Sequence, residues 1–179
     1  MVEDWVQRKD TQGMKQSRNV FMTVILASLA LAGCLDPIQY PDEPVISFIS
    51  LETGQTGTLT IGFTDGDGNI GLAQGDTLAP FCPDTCEFYY NLFLEYYELQ
   101  NGEWTHIPLD PELGQVPFYY RVPEVTPTGQ NQSLNGEIEI DMPAYFLITD
   151  FDTCRFEIKL VDRSFNESNI ELTNSFVKP

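Results

Sequence analysis

The chain is predicted to be all-β, an antiparallel β-sandwich of about seven to eight strands. Three observations predict this. From residue 45 onward, short runs rich in Val, Ile, Phe and Tyr alternate apolar and polar positions, and Gly, Pro, Asn and Asp clusters separate them. An Asn101-Gly102 pair sits between two of these runs, where both positions must tolerate positive φ, the strongest short hairpin signal. No stretch in this region carries apolar residues at the three-to-four spacing of an amphipathic helix, so strands have to build the core.

The N-terminal part reads differently. Residues 1–13 carry Glu3, Asp4 and Asp10 ahead of a better start at Met14, and read as a mis-called leader. Residues 14–33 open on Lys15 and Arg18 and run apolar over 20–32, with only Thr23 and Ser28 as breaks. They end on Ala32 and Gly33 just before Cys34. That is the charged, apolar and small-residue order of a secretory signal, too short for a comfortable bilayer span. Leu31-Ala32-Gly33-Cys34 resembles the lipobox of bacterial lipoproteins, which implies that Cys34 becomes the first mature residue and carries lipid such as palmitate. Residues 34–44 hold three prolines and no periodicity, and read as a tether to a β-sandwich domain over 45–179.

Strand expectations follow in order. Residues 45–50 form a short apolar run, and Leu59, Ile61 and Phe63 alternate with small polar residues. The longest candidate is 88–100, with Tyr90, Leu92, Leu94 and Tyr96 on one face. Its residues 90–99 are expected to pair with 103–109 across the Asn-Gly turn. Further strands are expected at 117–122, at 137–142 (alternating acidic and apolar, wet on one face), at 154–161 and at 169–177. Residues 143–152 are read as a link holding one helical turn.

The net charge is −18. Setting aside the four basic and three acidic residues ahead of Cys34 leaves 24 acidic against 5 basic, a net of −19. Such a field repels phosphate backbones and anionic headgroups, so nucleic acid is excluded as a natural partner, while cations and basic proteins are attracted. An envelope address permits disulfides. A local bridge between Cys82 and Cys86 is the first choice, leaving Cys154 a buried thiol; the alternative joins Cys154 to one of the two. His106 has no ligand-like spacing to these cysteines, which argues against zinc.

Asp65, Asp67 and Asn69 alternate with glycines, and Asp76 falls twelfth counting from Asp65. Three side-chain oxygens at this spacing can converge on a hard cation such as calcium, although Ile70 stands where an EF-hand needs Gly. The same residues also fit a Gly-rich turn whose Asp and Asn side chains bond their own backbone, and that reading is preferred. Asp150, Asp152 and the Asp162/Asn166 pair are weaker acidic candidates; Asp162 and Asn166 fit a side-chain-stapled turn. A hydrolytic triad would have to use His106, the sole histidine, without a Gly-x-Ser-x-Gly elbow. In the aromatic block around residues 89–120, most rings are expected in the core, and Tyr97, Trp104 and Tyr119 are the candidates for an exposed partner or ligand face.

Two segments carry a further resemblance. Phe63-Thr-Asp-Gly-Asp-Gly-Asn-Ile-Gly-Leu72 resembles the "tDgDGdIGl" segment of uncharacterised Bacteroidetes-type lipoproteins. Leu160-Val-Asp-Arg-Ser-Phe-Asn-Glu-Ser-Asn169 resembles the "v.D..gN.S" ending of bacterial immunoglobulin-like and fibronectin-like domains, departing at Phe165, where Gly is usual. The resemblance implies an immunoglobulin-like envelope module and no activity. The expectation is a non-catalytic outer-membrane lipoprotein, acting as a binding or accessory subunit of an envelope assembly, with no required cofactor and calcium as a candidate ligand of the Asp loop. The alternatives are a carbohydrate-binding accessory lipoprotein and, further off, a small hydrolase.

Overall fold

The computed structural model describes residues 39–83, 86–110, 112, 114–127 and 132–179. The leader, the signal segment and Cys34 lie outside the described residues.

Among the described residues, nine strand segments form two antiparallel sheets: β1 (Val45–Glu52), β2 (Gly57–Asp65), β3 (Leu92–Gln100), β4 (Glu103–His106), β5 (Phe118–Tyr120), β6 (Leu134–Met142), β7 (Thr153–Leu160), β8 (Glu171–Leu172) and β9 (Phe176–Val177). One sheet has the order β1-β2-β6. In the other, β3 and β7 are central, β4 and β5 share the outer edge of β3, and β8 and β9 share that of β7. The connectivity is that of a Greek-key sandwich: the chain lays down two strands of one sheet, crosses to the other, returns for β6 and crosses again.

Alternation decides which side chains meet. Leu59, Ile61 and Phe63 of β2 face Leu92, Leu94 and Tyr96 of β3 and Phe156, Ile158 and Leu160 of β7 across one core, all buried. Phe156 packs its ring against Tyr96, Phe118 and Phe176, with centroids 5.1–5.8 Å apart. Between β3 and β4, Asn101 (φ 54°) and Gly102 (φ 87°) make the expected turn with both residues at positive φ.

Several elements are shorter than the pattern predicts. Residues 88–91 are not strand: the Asn91 side chain accepts the Val122 N–H at 2.7 Å and turns the chain before β3 begins. β4 stops at His106, because β5 takes over the edge of β3 at Leu92–Leu94. The final strand is broken in two where the Thr173 hydroxyl accepts the Phe156 N–H in place of a backbone carbonyl, at 3.0 Å. No helical turn forms over 143–152, where Tyr145 is instead drawn into the core and donates its hydroxyl to the Gly54 carbonyl at 2.8 Å. The segment expected to be a free tether as far as residue 44 is held from Tyr40 on: the Gly66 N–H donates to the Pro41 carbonyl at 2.7 Å, and the Asn135 amide donates to the Tyr40 hydroxyl at 2.9 Å.

Cys82 and Cys86 lie at disulfide distance, with Cα atoms 5.1 Å apart, while Cys154 is a buried free thiol. Its sulfur lies 2.8 Å from the Tyr96 hydroxyl, and burial pushes the thiol up from its ordinary value.

Candidate functional site

Two places collect the residues singled out by the sequence. The first is at one end of the sandwich. The inward alternation of β2, Leu59, Ile61, Phe63, runs on by one step to Asp65, which is fully buried. The inward alternation of β7, Phe156, Ile158, Leu160, runs on by one step past the strand to Asp162, 2 % exposed. Each sheet thus ends its core-facing row with a carboxylate. Asp67 joins them from the loop after β2, and one oxygen from each of Asp65, Asp67 and Asp162 lies within 4.8 Å of the others.

The loop that follows is shaped for this. The Asn69 N–H donates to Asp65 Oδ2 at 2.8 Å, and the Asn69 amide nitrogen donates to Asp67 Oδ2 at 2.6 Å and to Ser164 Oγ at 2.9 Å. Gly68 sits at φ 70°, and a Cβ there would come within 1.9 Å of the Gln132 carbonyl oxygen, so only glycine fits. On the other side, Asn166 staples Asp162 from its backbone N–H (2.8 Å) and its side-chain amide (2.9 Å). That is the stapled turn expected there, closed by Phe165 in the left-handed region at φ 68°.

The Asp162 oxygens are both taken, but the other side chains each keep one over: Asp65 Oδ1, Asp67 Oδ1 and Asn69 Oδ1 are buried and have no hydrogen-bond partner among the described residues. Burial is the main reason the Asp65 carboxyl is pushed up, to about 6; the bond from the Asn69 N–H opposes this, and the charges of Asp67 and Asp162 add to it. The Asp67 carboxyl is raised as well, by burial first and then by Asp162.

Among the described residues, no cation answers the cluster. All five basic residues after Cys34 are committed elsewhere. Arg121 donates to the carbonyls of Tyr89, Ala73 and Asp76, and Arg155 stacks on Trp104. Lys159 pairs with Glu167, Arg163 with Asp76 and Glu124, and Lys178 with Glu98. Asp76, expected beside the other three loop residues, is therefore not brought to them. Leu72 hydrogen-bonds to Val122 and carries the chain away, and Asp76 accepts the Ala73 N–H at 2.8 Å and the Arg163 guanidinium. Asp162 takes the fourth place beside Asp65, Asp67 and Asn69. The two-residue period of β7 marks Asp162 as facing inward, but not as a neighbour of Asp65.

No protein-family model, curated protein or solved structure matches the chain.

The second place is the outer face of the six-stranded sheet. Tyr97 from β3, Trp104 from β4 and Tyr119 from β5 all point outward there and are half-buried. The Arg155 guanidinium lies 4.3 Å from the Trp104 ring centroid and 5.6 Å from that of Tyr97. The Tyr119 hydroxyl donates to Glu95 Oε1 at 2.8 Å, and the Tyr97 hydroxyl donates to Glu157 Oε2 at 3.3 Å. His106 belongs to the same face, with Nε2 2.8 Å from Glu95 Oε2. The rings are braced by charged neighbours into a semi-rigid surface, and a shallow depression opens beside Phe93, Glu95 and Glu157. Asp150 and Asp152 lie in neither place; Asp152 accepts the neighbouring Thr153 hydroxyl at 2.9 Å.

Proposed function

We propose that the chain is a lipid-anchored, non-catalytic binding module of the bacterial envelope, an accessory subunit that meets a partner protein through the outer face of its six-stranded sheet. The observation that carries this reading is the convergence of Tyr97, Trp104 and Tyr119, from three different strands, on one outward face. Aromatic and Arg side chains braced in place lose little rotamer freedom on binding, which is why such residues dominate the energetics of interfaces. The anchor rests on the order of charge, apolar run and small residues that ends at Cys34, and on the likeness of residues 63–72 to a segment of Bacteroidetes-type lipoproteins. With residue 40 already held by the domain, the stretch from Cys34 reaches roughly 20 Å at most, so the module works close to its membrane.

Site-specific photo-crosslinking in native membranes tests the reading. A crosslinker at Tyr97 captures one envelope protein, and a crosslinker at Thr60 on the opposite sheet does not. Equal capture from both positions contradicts it. A carbohydrate-binding role is the second reading, favoured by the carboxylates that flank Phe93 in the depression. Heat of binding to a cell-surface glycan, lost in Trp104→Ala, would put it first.

A further inference from the structure

We propose that Asp65, Asp67, Asn69 and Asp162 form a calcium site that ties the two sheets together at the end of the sandwich where the segment preceding β1 packs on the domain. The inference concerns a separate part of the molecule from the partner face and stands or falls without it.

Three observations converge. Three carboxylates from two chain segments far apart in sequence place oxygens within 4.8 Å of each other. The Asp65 side chain is fully buried, with Oδ1 unpartnered, and the Asp67 and Asn69 Oδ1 atoms beside it are likewise buried and unpartnered. Buried polar atoms of folded proteins are nearly always satisfied, so three acceptors within five residues of chain that find no partner among the described residues mark a missing donor or cation. A water molecule could donate to two of them but would leave the charges unneutralised. Finally, each of the five basic residues after Cys34 has its partners elsewhere, so none of the described residues supplies the positive charge.

The donor set selects the ion. Carboxylates and an amide carbonyl are hard oxygen ligands, with no imidazole or thiolate to favour zinc or copper. Calcium takes six to eight oxygens at flexible geometry, so four side chains with water on the half-exposed side of Asp67 and Asn69 suit it. Magnesium demands a strict octahedron and keeps most of its waters, which a site built on fully buried Asp65 does not accommodate. The existing hydrogen bonds act as the outer shell. Asn166 orients both Asp162 oxygens, Ser164 and Asp67 hold the Asn69 amide so that its oxygen is left over, and the Asn69 N–H fixes Asp65. Because the Gly66 N–H bonds the Pro41 carbonyl, calcium here also firms the loop on which the Tyr40–Pro41 segment rests.

The test uses the natively processed protein in detergent, stripped with a chelator and titrated with calcium chloride by calorimetry, with thermal unfolding followed alongside. One calcium per chain and a clear rise in Tm are expected. Asp67→Asn is expected to weaken affinity by roughly tenfold or more, because it removes a charged ligand. The calcium-free variant should melt no lower than the calcium-free wild type, since it also relieves like-charge repulsion; a variant that was merely misfolded would melt lower. Absence of both heat and Tm shift at millimolar calcium overturns the site, as does unchanged affinity in Asp67→Asn. Magnesium binding as tight as calcium overturns the assignment of the ion.

Discussion

Asp65 and Asp162 are counterparts across the sandwich: each is the inward residue two places beyond the last core side chain of its strand, Phe63 in one sheet and Leu160 in the other. An inward position at the end of a strand is where the apolar core gives way to loops, and here both sheets fill it with an acid. The two loops then lock to each other, with the Asn69 amide donating to Ser164 Oγ and the Arg163 N–H reaching the Asn69 carbonyl at 3.4 Å.

The core predicts a conventional cost at its centre. Phe156 is fully buried among Tyr96, Phe118 and Phe176, so Phe156→Ala should lower unfolding free energy by about 3–5 kcal/mol in denaturant titration.

Phe165 takes the left-handed conformation that glycine would adopt without strain, and its ring packs on Phe81 and Phe88 with centroids 5.8 and 4.6 Å away. Phe165→Ala keeps the strained φ and loses the ring contacts, whereas Phe165→Gly loses the contacts but relieves the backbone, a difference of about 1 kcal/mol. Thermal unfolding of the two variants should therefore rank glycine above alanine.

Acid should unfold the protein partly through Glu98, which is 1 % exposed. Burial alone would raise its carboxyl, but hydrogen bonds from Thr149, Lys178 and Gln100 and the charge of Lys178 outweigh burial and hold it below its ordinary value. A carboxyl depressed in the folded state contributes stability above its unfolded value, and that contribution is lost as pH falls through the folded one. Between about pH 5 and pH 3 the wild type should lose more stability than Glu98→Gln. At neutral pH, Lys178→Met leaves Glu98 buried and unpaired, with a loss of about 3 kcal/mol or more.

The proposed partner face should separate from stability. Trp104 lies on a short edge strand and is half-buried under Arg155, so Trp104→Ala should shift Tm by only a few degrees while abolishing capture at the Tyr97 crosslinker.

Much of this was legible in the amino-acid sequence, and the parts that were not have physical reasons. The all-β class, the Asn101-Gly102 hairpin and the inward rows of β2 and β7 follow from two-residue alternation and turn chemistry, which are local. The length of β4 was not readable, because it depends on β5 arriving from elsewhere to take the edge of β3. Tyr90 looked like a continuation of the buried row but is exposed, since the Asn91 side chain ends the strand before it. At the acidic end, Asp65, Asp67 and Asn69 were found by spacing. Asp76 was misplaced with them because counting along the chain ignores Arg163, which draws it away. Asp162 looked like a turn staple, and it is one; its second position beside Asp65 depends on how the two sheets face each other, which no local pattern records.

The central claim, a binding module held at a membrane by lipid on one thiol, is tested most directly by mass spectrometry of the protein's N-terminal peptide extracted from native membranes. The account predicts a chain that begins at Cys34 and carries the added mass of acyl groups. An unmodified N-terminus, or one that starts at any other residue, would contradict it.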